Sequence, residues 1–95
     1  MIGKYVIVRA HLAGVFAGIL VARHGDSEVE LKDARKLWYW SGANSVEQIA
    51  VEGVKNPSAC KFTQVADQYV LGVIQILLAT EEARKIITEV PIWKK

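Results

Sequence analysis

The sequence contains a single cysteine, Cys60, among its 95 residues. One thiol cannot form an internal disulfide, so the core must stabilise the domain, and a reducing compartment is expected. The two histidines, His11 and His24, lie in or beside turns, with no cysteine or carboxylate at a metal-ligand spacing. We therefore expect no metal site.

A long hydrophobic run is also missing. No stretch reaches the roughly 18 apolar residues that a membrane span needs. Residues 12–22 follow two basic residues and mimic the apolar part of a signal peptide, but two glycines interrupt them and residues 4–10 are already strand-like. The sequence therefore predicts a cytoplasmic protein without a membrane segment.

An excess of one charge and a catalytic motif are lacking as well. The 12 basic and 10 acidic residues are mixed along the chain and leave a net charge of +2, which is weak for a protein that binds a nucleic-acid polymer. No nucleophile lies near a general base at a recognisable spacing, and GVFAG lacks the GxGxxG spacing of a nucleotide fingerprint. We expect no catalytic residues, no cofactor and no enzymatic activity.

Hydrophobic residues make up 52% of the chain, and their spacing predicts one α+β domain over residues 1–95. Alternating and β-branched residues indicate about six strands, and capping and stop signals indicate two short helices. The predicted strands cover residues 4–10, 15–23, 28–32, 34–40, 60–65 and 68–79, and the predicted helices cover 45–53 and 80–90. The last strand is long enough to be a buried helix instead, but Gly72 and its β-branched residues favour a strand.

The first four predicted strands and their short turns are typical of a β-meander with the pattern of a small SH3-like or Sm-like barrel. Gly18, in the middle of strand 15–23, indicates a bend or a close backbone approach. A module of this kind that binds nucleic acid or a peptide is one functional alternative. The weak net charge argues against the nucleic-acid version.

The segment KLWYWSG places three aromatic residues side by side. Neighbouring residues of a strand point to opposite faces, so Lys36, Trp38 and Trp40 share one face, and Arg35, Leu37 and Tyr39 share the other. Two indoles beside a cation can stack a nucleotide base and pair with phosphate, and Lys61 with Phe62 repeats this combination.

The alternative is that these rings are buried. We expect Trp38 to lie in the core, where helix 45–53 is the obvious cover, or in a subunit interface, and less often against a ligand. The segment would then be a strand that is covered on both faces.

Several motifs occur in order along the chain: MIGKYVIVRA, GVFAGILVAR, LKDARKLWYWSGANS followed by VEQIAVEGV, CKF, and the ending EVPIWKK. With these motifs, above all LKDAR-x-LWYWSGA, the chain resembles the first-described Thoeris anti-defence family of phages and prophages. The resemblance implies a molecular sponge that binds glycocyclic ADP-ribose, the signal made by the Thoeris TIR enzyme, without cleaving it. It further implies a homodimer, or a hexamer built from dimers with separate sites for cyclic trinucleotides, in the cytoplasm of the infected bacterium.

The resemblance also implies the kind of ligand site. An aromatic ring and an arginine sandwich the adenine near a subunit interface, while polar groups contact ribose and phosphate. Phe62 is the aromatic residue that matches best, and the available arginines are Arg9, Arg23, Arg35 and Arg84. The predicted ligand-binding residues are thus Phe62, Arg35, Arg9, Arg84, Trp40 and Lys61. A phage structural protein whose aromatic residues serve only assembly is a further alternative.

Overall fold

The computed structural model describes residues 1–93, so the last two residues of the predicted domain 1–95 lie outside the described part. The strands are β1 (Tyr5–Ala10), β2 (Gly14–His24), β3 (Glu28–Tyr39), β4 (Lys61–Phe62), β5 (Ala66–Leu71) and β6 (Val73–Leu78). The helices are α1 (Val46–Glu52) and α2 (Glu81–Glu89), with a short 3-10 turn at Pro57–Ala59. The predicted α+β class, with six strands and two short helices, is confirmed.

The division into strands differs from the prediction at two places. Predicted strands 28–32 and 34–40 form the single strand β3, in which Asp33 (φ 52°) makes an irregularity rather than a turn. The Asp33 backbone N–H donates to Asp67 Oδ1 at 3.0 Å, so the distorted backbone keeps a partner. Predicted strand 68–79 is in turn divided at Gly72, whose φ of 72° suits glycine because it has no Cβ.

The strand pairing forms a ring. β1, β2 and β3 pair antiparallel in chain order, as a meander requires. β5 pairs with the first half of β3, and the chain then bends at Gly72 into β6, which pairs with β1. The sheet is thereby rolled, with an inner and an outer face. β4 pairs with the second half of β3, beyond β5.

Each face of the rolled sheet has its own apolar core. The inner cluster comprises Val6, Val8, Ala10, Phe16, Leu20, Val29, Leu31, Ala34, Val70 and Val73. The outer cluster joins sheet residues such as Ile7 and Leu37 to Ile49 of α1 and Ile87 of α2. β1 is buried on both faces because it contributes alternate residues to both clusters.

Gly18 confirms the predicted close backbone approach. A Cβ at this position would lie 2.8 Å from the Cβ of Ala34 and 2.9 Å from its Cα, closer than packed carbon atoms can come. The neighbouring strands β2 and β3 can therefore approach this closely only because residue 18 has no side chain.

Both helices begin at the predicted caps. Ser45 Oγ accepts a hydrogen bond from the Gln48 backbone N–H, and Thr80 Oγ1 accepts one from the Ala83 N–H. The Thr80 hydroxyl also donates to the Val51 carbonyl at 2.8 Å, which ties the start of α2 to α1. Within residues 1–93, neither helix is long and apolar enough to cross a membrane.

Candidate functional site

Phe62 and Arg35, the predicted base-sandwich pair, lie together but inside the molecule. The Arg35 Cζ is 5.5 Å from the centroid of the Phe62 ring, and the two residues are 1% and 0% exposed. Neither side chain reaches the surface of this structure. Their predicted contact with a ligand stays a prediction, and it would require the covering residues to move away.

Arg35 is occupied by backbone acceptors. Its guanidinium donates to carbonyl oxygens of five residues: Thr63 at 2.8 Å, Ile87 at 2.9 Å, Val90 at 2.7 Å, Phe62 at 3.3 Å and Pro91 at 3.4 Å. Burial lowers the pKa of Arg35 from its ordinary value. Its position beside the carbonyl end of α2 compensates, because that end of a helix carries partial negative charge.

The other predicted arginines contact different partners. Arg9 is exposed on β1 and donates to Gln75 Oε1 on β6 at 2.8 Å. Arg84, on α2, is half-buried with its Cζ 5.1 Å from the centroid of the Tyr5 ring. Both arginines therefore contact side chains of the same subunit; Arg9 is exposed to solvent and Arg84 is half-buried.

Trp40 and Trp38, predicted to share a face, separate at the end of β3. Trp40 follows the strand, is half-buried and packs against the outer core cluster. Trp38 is 55% exposed, so the predicted cover by the first helix is wrong. The physical reason is that Leu37 faces the helices, so its neighbour Trp38 lies on the opposite face of β3. A β-bulge at this point, where Leu37 pairs with Phe62 and Tyr39 with Lys61, leaves Tyr39 exposed as well.

Lys61 lies at the centre of an exposed aromatic surface. Its Nζ is 5.3 Å from the ring centroid of Trp38, 5.4 Å from that of Trp93 and 5.9 Å from that of Tyr39. The Trp38 and Trp93 rings stack with centroids 5.0 Å apart and an interplanar angle of 12°. We call these four residues the indole platform.

The fold positions each member of the platform. β3 and β4 bring Tyr39 opposite Lys61, and Trp38 lies beside them on the face of β3 opposite Leu37. The chain after α2 then returns to β4, where Ile92 forms a parallel bridge with Phe62 and the Trp93 N–H donates to the Phe62 carbonyl at 2.9 Å. The sequence analysis did not predict Trp93 as a site residue, because its contact with β4 depends on the chain returning from α2, which no local pattern indicates. The one signal in the sequence is an aromatic residue beside the two terminal lysines.

The platform is open to solvent. Trp38, Tyr39 and Trp93 are 55%, 50% and 41% exposed, unusually high values for three neighbouring aromatic residues. Their ring faces can stack a planar base, and the Lys61 ammonium supplies a positive charge for a phosphate. The surface thus combines the two contacts that a nucleotide needs.

Tyr5 is a buried polar group next to two arginines. Its hydroxyl is buried and has no hydrogen-bond partner among the described residues. Burial raises the pKa of Tyr5 to about 12, and the positive charges of Arg35 and Arg84 oppose that rise. The phenol is therefore neutral in the folded protein and acts as part of the core.

A second polar cluster lies on the opposite half of β3. His24 Nε2 is 2.5 Å from Glu30 Oε2, and the His24 ring stacks on Tyr69. The Tyr69 hydroxyl donates to Glu28, which raises the pKa of Tyr69. Within residues 1–93, no three histidine, cysteine or acidic side chains come together to hold a metal ion.

The fold and its surface define a small α+β domain, a rolled antiparallel sheet backed by two helices, with exposed indoles at one end of its longest strand. Residues 3–87 match a family described as a domain of unknown function, DUF6948, and the chain belongs to that family. Comparison with curated proteins and with solved structures finds no match.

Proposed function

We propose that the protein is a phage anti-defence sponge, which binds glycocyclic ADP-ribose and withholds it from the Thoeris effector without cleaving it. The observation that carries the proposal is the exposed stack of Trp38 on Trp93 around the Lys61 ammonium. The proposal places the protein in the cytoplasm of the infected bacterium. The proposal rests on two supports. The LKDARKLWYWSGA segment resembles the sponge family, and the aromatic residues of this segment lie on a surface whose chemistry suits a nucleotide.

The base would bind on an outer face of the indole pair. The two indole centroids are 5.0 Å apart, which is a stacking contact and leaves no gap for a third ring between them. An adenine would extend the stack, and base stacking on an aromatic side chain contributes about 1–3 kcal/mol per base.

The pyrophosphate would lie near Lys61. A cation held at 5.3–5.9 Å from three ring centroids is partly shielded from water, which strengthens its attraction for an anion. The further predicted residues, Arg9 and Arg84, would contribute if a second subunit brought them to the ligand. A homodimer, or a hexamer built from dimers, is therefore part of the proposal, and so are cyclic trinucleotides in separate sites of the hexamer.

The expected affinity is that of a sponge. A ligand of about 35 non-hydrogen atoms, at about −0.3 kcal/mol per atom, gains roughly −10 kcal/mol, which corresponds to a dissociation constant of tens of nanomolar. An open platform on one small domain does not enclose such a ligand, whereas a cleft between two subunits does.

The test is calorimetric titration of the protein with glycocyclic ADP-ribose. Trp38→Ala removes one ring of the platform and should weaken binding by about fivefold to 150-fold, from the stacking energy of one base. Tyr69→Ala is the matched control, because Tyr69 is 51% exposed and pairs with Glu30, roughly 25 Å along β3 from Trp38. Equal binding by wild type and Trp38→Ala would contradict the platform as the site, and absence of binding by wild type would contradict the sponge.

A second candidate is an SH3-like or Sm-like module that binds single-stranded nucleic acid or a peptide. The rolled meander and the exposed indoles favour it, since successive bases or a proline-rich peptide can stack on such a surface. A nucleic-acid binder would show affinity that falls steeply with salt, and the net charge of +2 disfavours this. A structural phage protein, the remaining alternative, would bind none of these ligands.

A further inference from the structure

We propose that Arg35 is a positioning residue, which holds the segment carrying Trp93 against the strand carrying Trp38 and so assembles the indole platform. The inference rests on the proposed function in so far as the platform is the ligand surface. It assigns Arg35 a role different from the ligand contact that the sequence predicts. Arg35 lies on β3, three residues before Trp38.

Arg35 joins three segments that meet only through tertiary structure. On one side its guanidinium donates to Phe62 and Thr63, at the end of β4. On the other side it donates to Ile87 and Val90, where α2 ends, and to Pro91 just beyond. One side chain on β3 thus fixes both β4 and the start of the C-terminal segment.

The Phe62 carbonyl connects Arg35 directly to Trp93. This oxygen accepts from Arg35 Nη2 at 3.3 Å and from the Trp93 backbone N–H at 2.9 Å. The peptide group of Phe62, which Arg35 holds, therefore orients Trp93, the residue that stacks on Trp38. Pro91, two residues before Trp93, is held by Arg35 from the other side at 3.4 Å.

Only arginine supplies this set of contacts. A guanidinium presents five N–H donors in a fixed planar fork, whereas a lysine ammonium is a single point with three donors on a flexible stem. Since Arg35 is 1% exposed and its bond to the Val90 carbonyl is buried, loss of the guanidinium leaves that carbonyl without its donor at the end of α2 and removes the link between β4 and Pro91. The C-terminal segment would then detach from β4 before the rest of the sheet unfolds.

The experiment compares Arg35→Met and Arg35→Lys with wild type in the absence of ligand. The readout is the exciton couplet that two stacked indoles give in far-ultraviolet circular dichroism, with Trp38→Ala defining its complete loss. We expect Arg35→Met to lose at least half of the couplet while it retains the sheet signal, and Arg35→Lys to lose less. If Arg35→Met does not fold, the Arg35→Lys comparison decides.

Val70→Ala separates positioning from general destabilisation. Val70 lies in the inner core, away from Arg35, so its truncation lowers stability without touching the platform. We expect Val70→Ala to keep the couplet. A full couplet in both Arg35 variants, or an equal loss in Val70→Ala, would overturn the proposal.

Titration with glycocyclic ADP-ribose completes the test. We expect the affinity of each Arg35 variant to fall in parallel with its couplet. Loss of binding with an intact couplet would overturn the positioning role and make Arg35 a ligand contact. If wild type binds no ligand, the proposed function fails, while the couplet still decides whether Arg35 assembles the platform.

Discussion

Trp38 and Trp93 stack at 5.0 Å between ring centroids, although one lies near the end of β3 and the other follows α2. The contact depends on the position of Trp38 on the face of β3 opposite Leu37 and on the return of the chain to Phe62. Trp38 stays 55% exposed and Trp93 41% exposed, and both lie on a surface that also holds Lys61.

Trp93→Ala should weaken the binding of glycocyclic ADP-ribose by roughly fivefold to 150-fold, the value of one base stack. The free energy of unfolding should fall by less than about 1 kcal/mol, because the ring is largely at the surface. Calorimetry and urea denaturation measure the two quantities. Unchanged affinity, or a large loss of stability with binding retained, would mean that the ring serves the fold alone.

Lys61→Gln should reduce both the affinity and its dependence on salt, since a phosphate loses its cation while the rings remain. Lys61→Arg should retain most of the affinity. Lys55→Gln, which removes an exposed lysine elsewhere, is the control and should leave binding unchanged. If Lys61→Gln kept the salt dependence of wild type, the anion would lie elsewhere.

Tyr5→Phe should leave stability near neutral pH unchanged or raise it by about 1 kcal/mol, because it removes a buried hydroxyl without a partner. Urea denaturation measures this. A loss of more than about 1 kcal/mol would show that the hydroxyl has a partner, such as a bound water.

The same variant should resist alkali better than wild type. Folding raises the pKa of Tyr5 from 10.0 to about 12, so the neutral phenol is favoured in the folded state. The associated stability, of about 3 kcal/mol, is present below the pKa of Tyr5 in the unfolded chain and is lost as the pH rises through its pKa in the folded protein. Urea denaturation at several alkaline pH values should show a shallower decline for Tyr5→Phe than for wild type, and equal declines would contradict a raised pKa for Tyr5.

Gly18→Ala should destabilise the domain by about 2–3 kcal/mol, because the new Cβ would fall 2.8–2.9 Å from Ala34 Cβ and Cα on the paired strand. Gly25→Ala is the control: its Cβ meets nothing within 4 Å, and only its φ of 66° makes it unfavourable, by about 1 kcal/mol. Thermal unfolding compares the two. Equal losses of stability in the two variants would contradict a close approach of the strands at Gly18.

Local features of the fold were predictable from the sequence. Ser45 and Thr80 cap their helices, and Gly18 marks a close approach, because each depends on a few neighbouring residues or on the absence of a side chain. The fold class followed from hydrophobic periodicity for the same reason.

Non-local features were not predictable. The alternation of faces failed after Trp38, where Tyr39 is exposed and Trp40 packs against the outer cluster, because a bulge depends on the partner strand, and the partner of β3 at that point is the two-residue strand β4. The burial of Arg35 could not be predicted from the sequence, because its hydrogen-bond acceptors are backbone carbonyls and no pattern of side chains indicates them. Trp93 joins the site only because Arg35 and Phe62 hold the C-terminal segment in place.

Retention and release of the signal tests the central claim most directly. The protein is incubated with glycocyclic ADP-ribose, separated from free small molecules by filtration and denatured by heat, and the released material is identified by mass. Recovery of intact signal, near one molecule per subunit for wild type and far less for Trp38→Ala, is the predicted result. Release of a modified product would reveal an enzyme, and recovery of nothing from wild type would contradict the sponge.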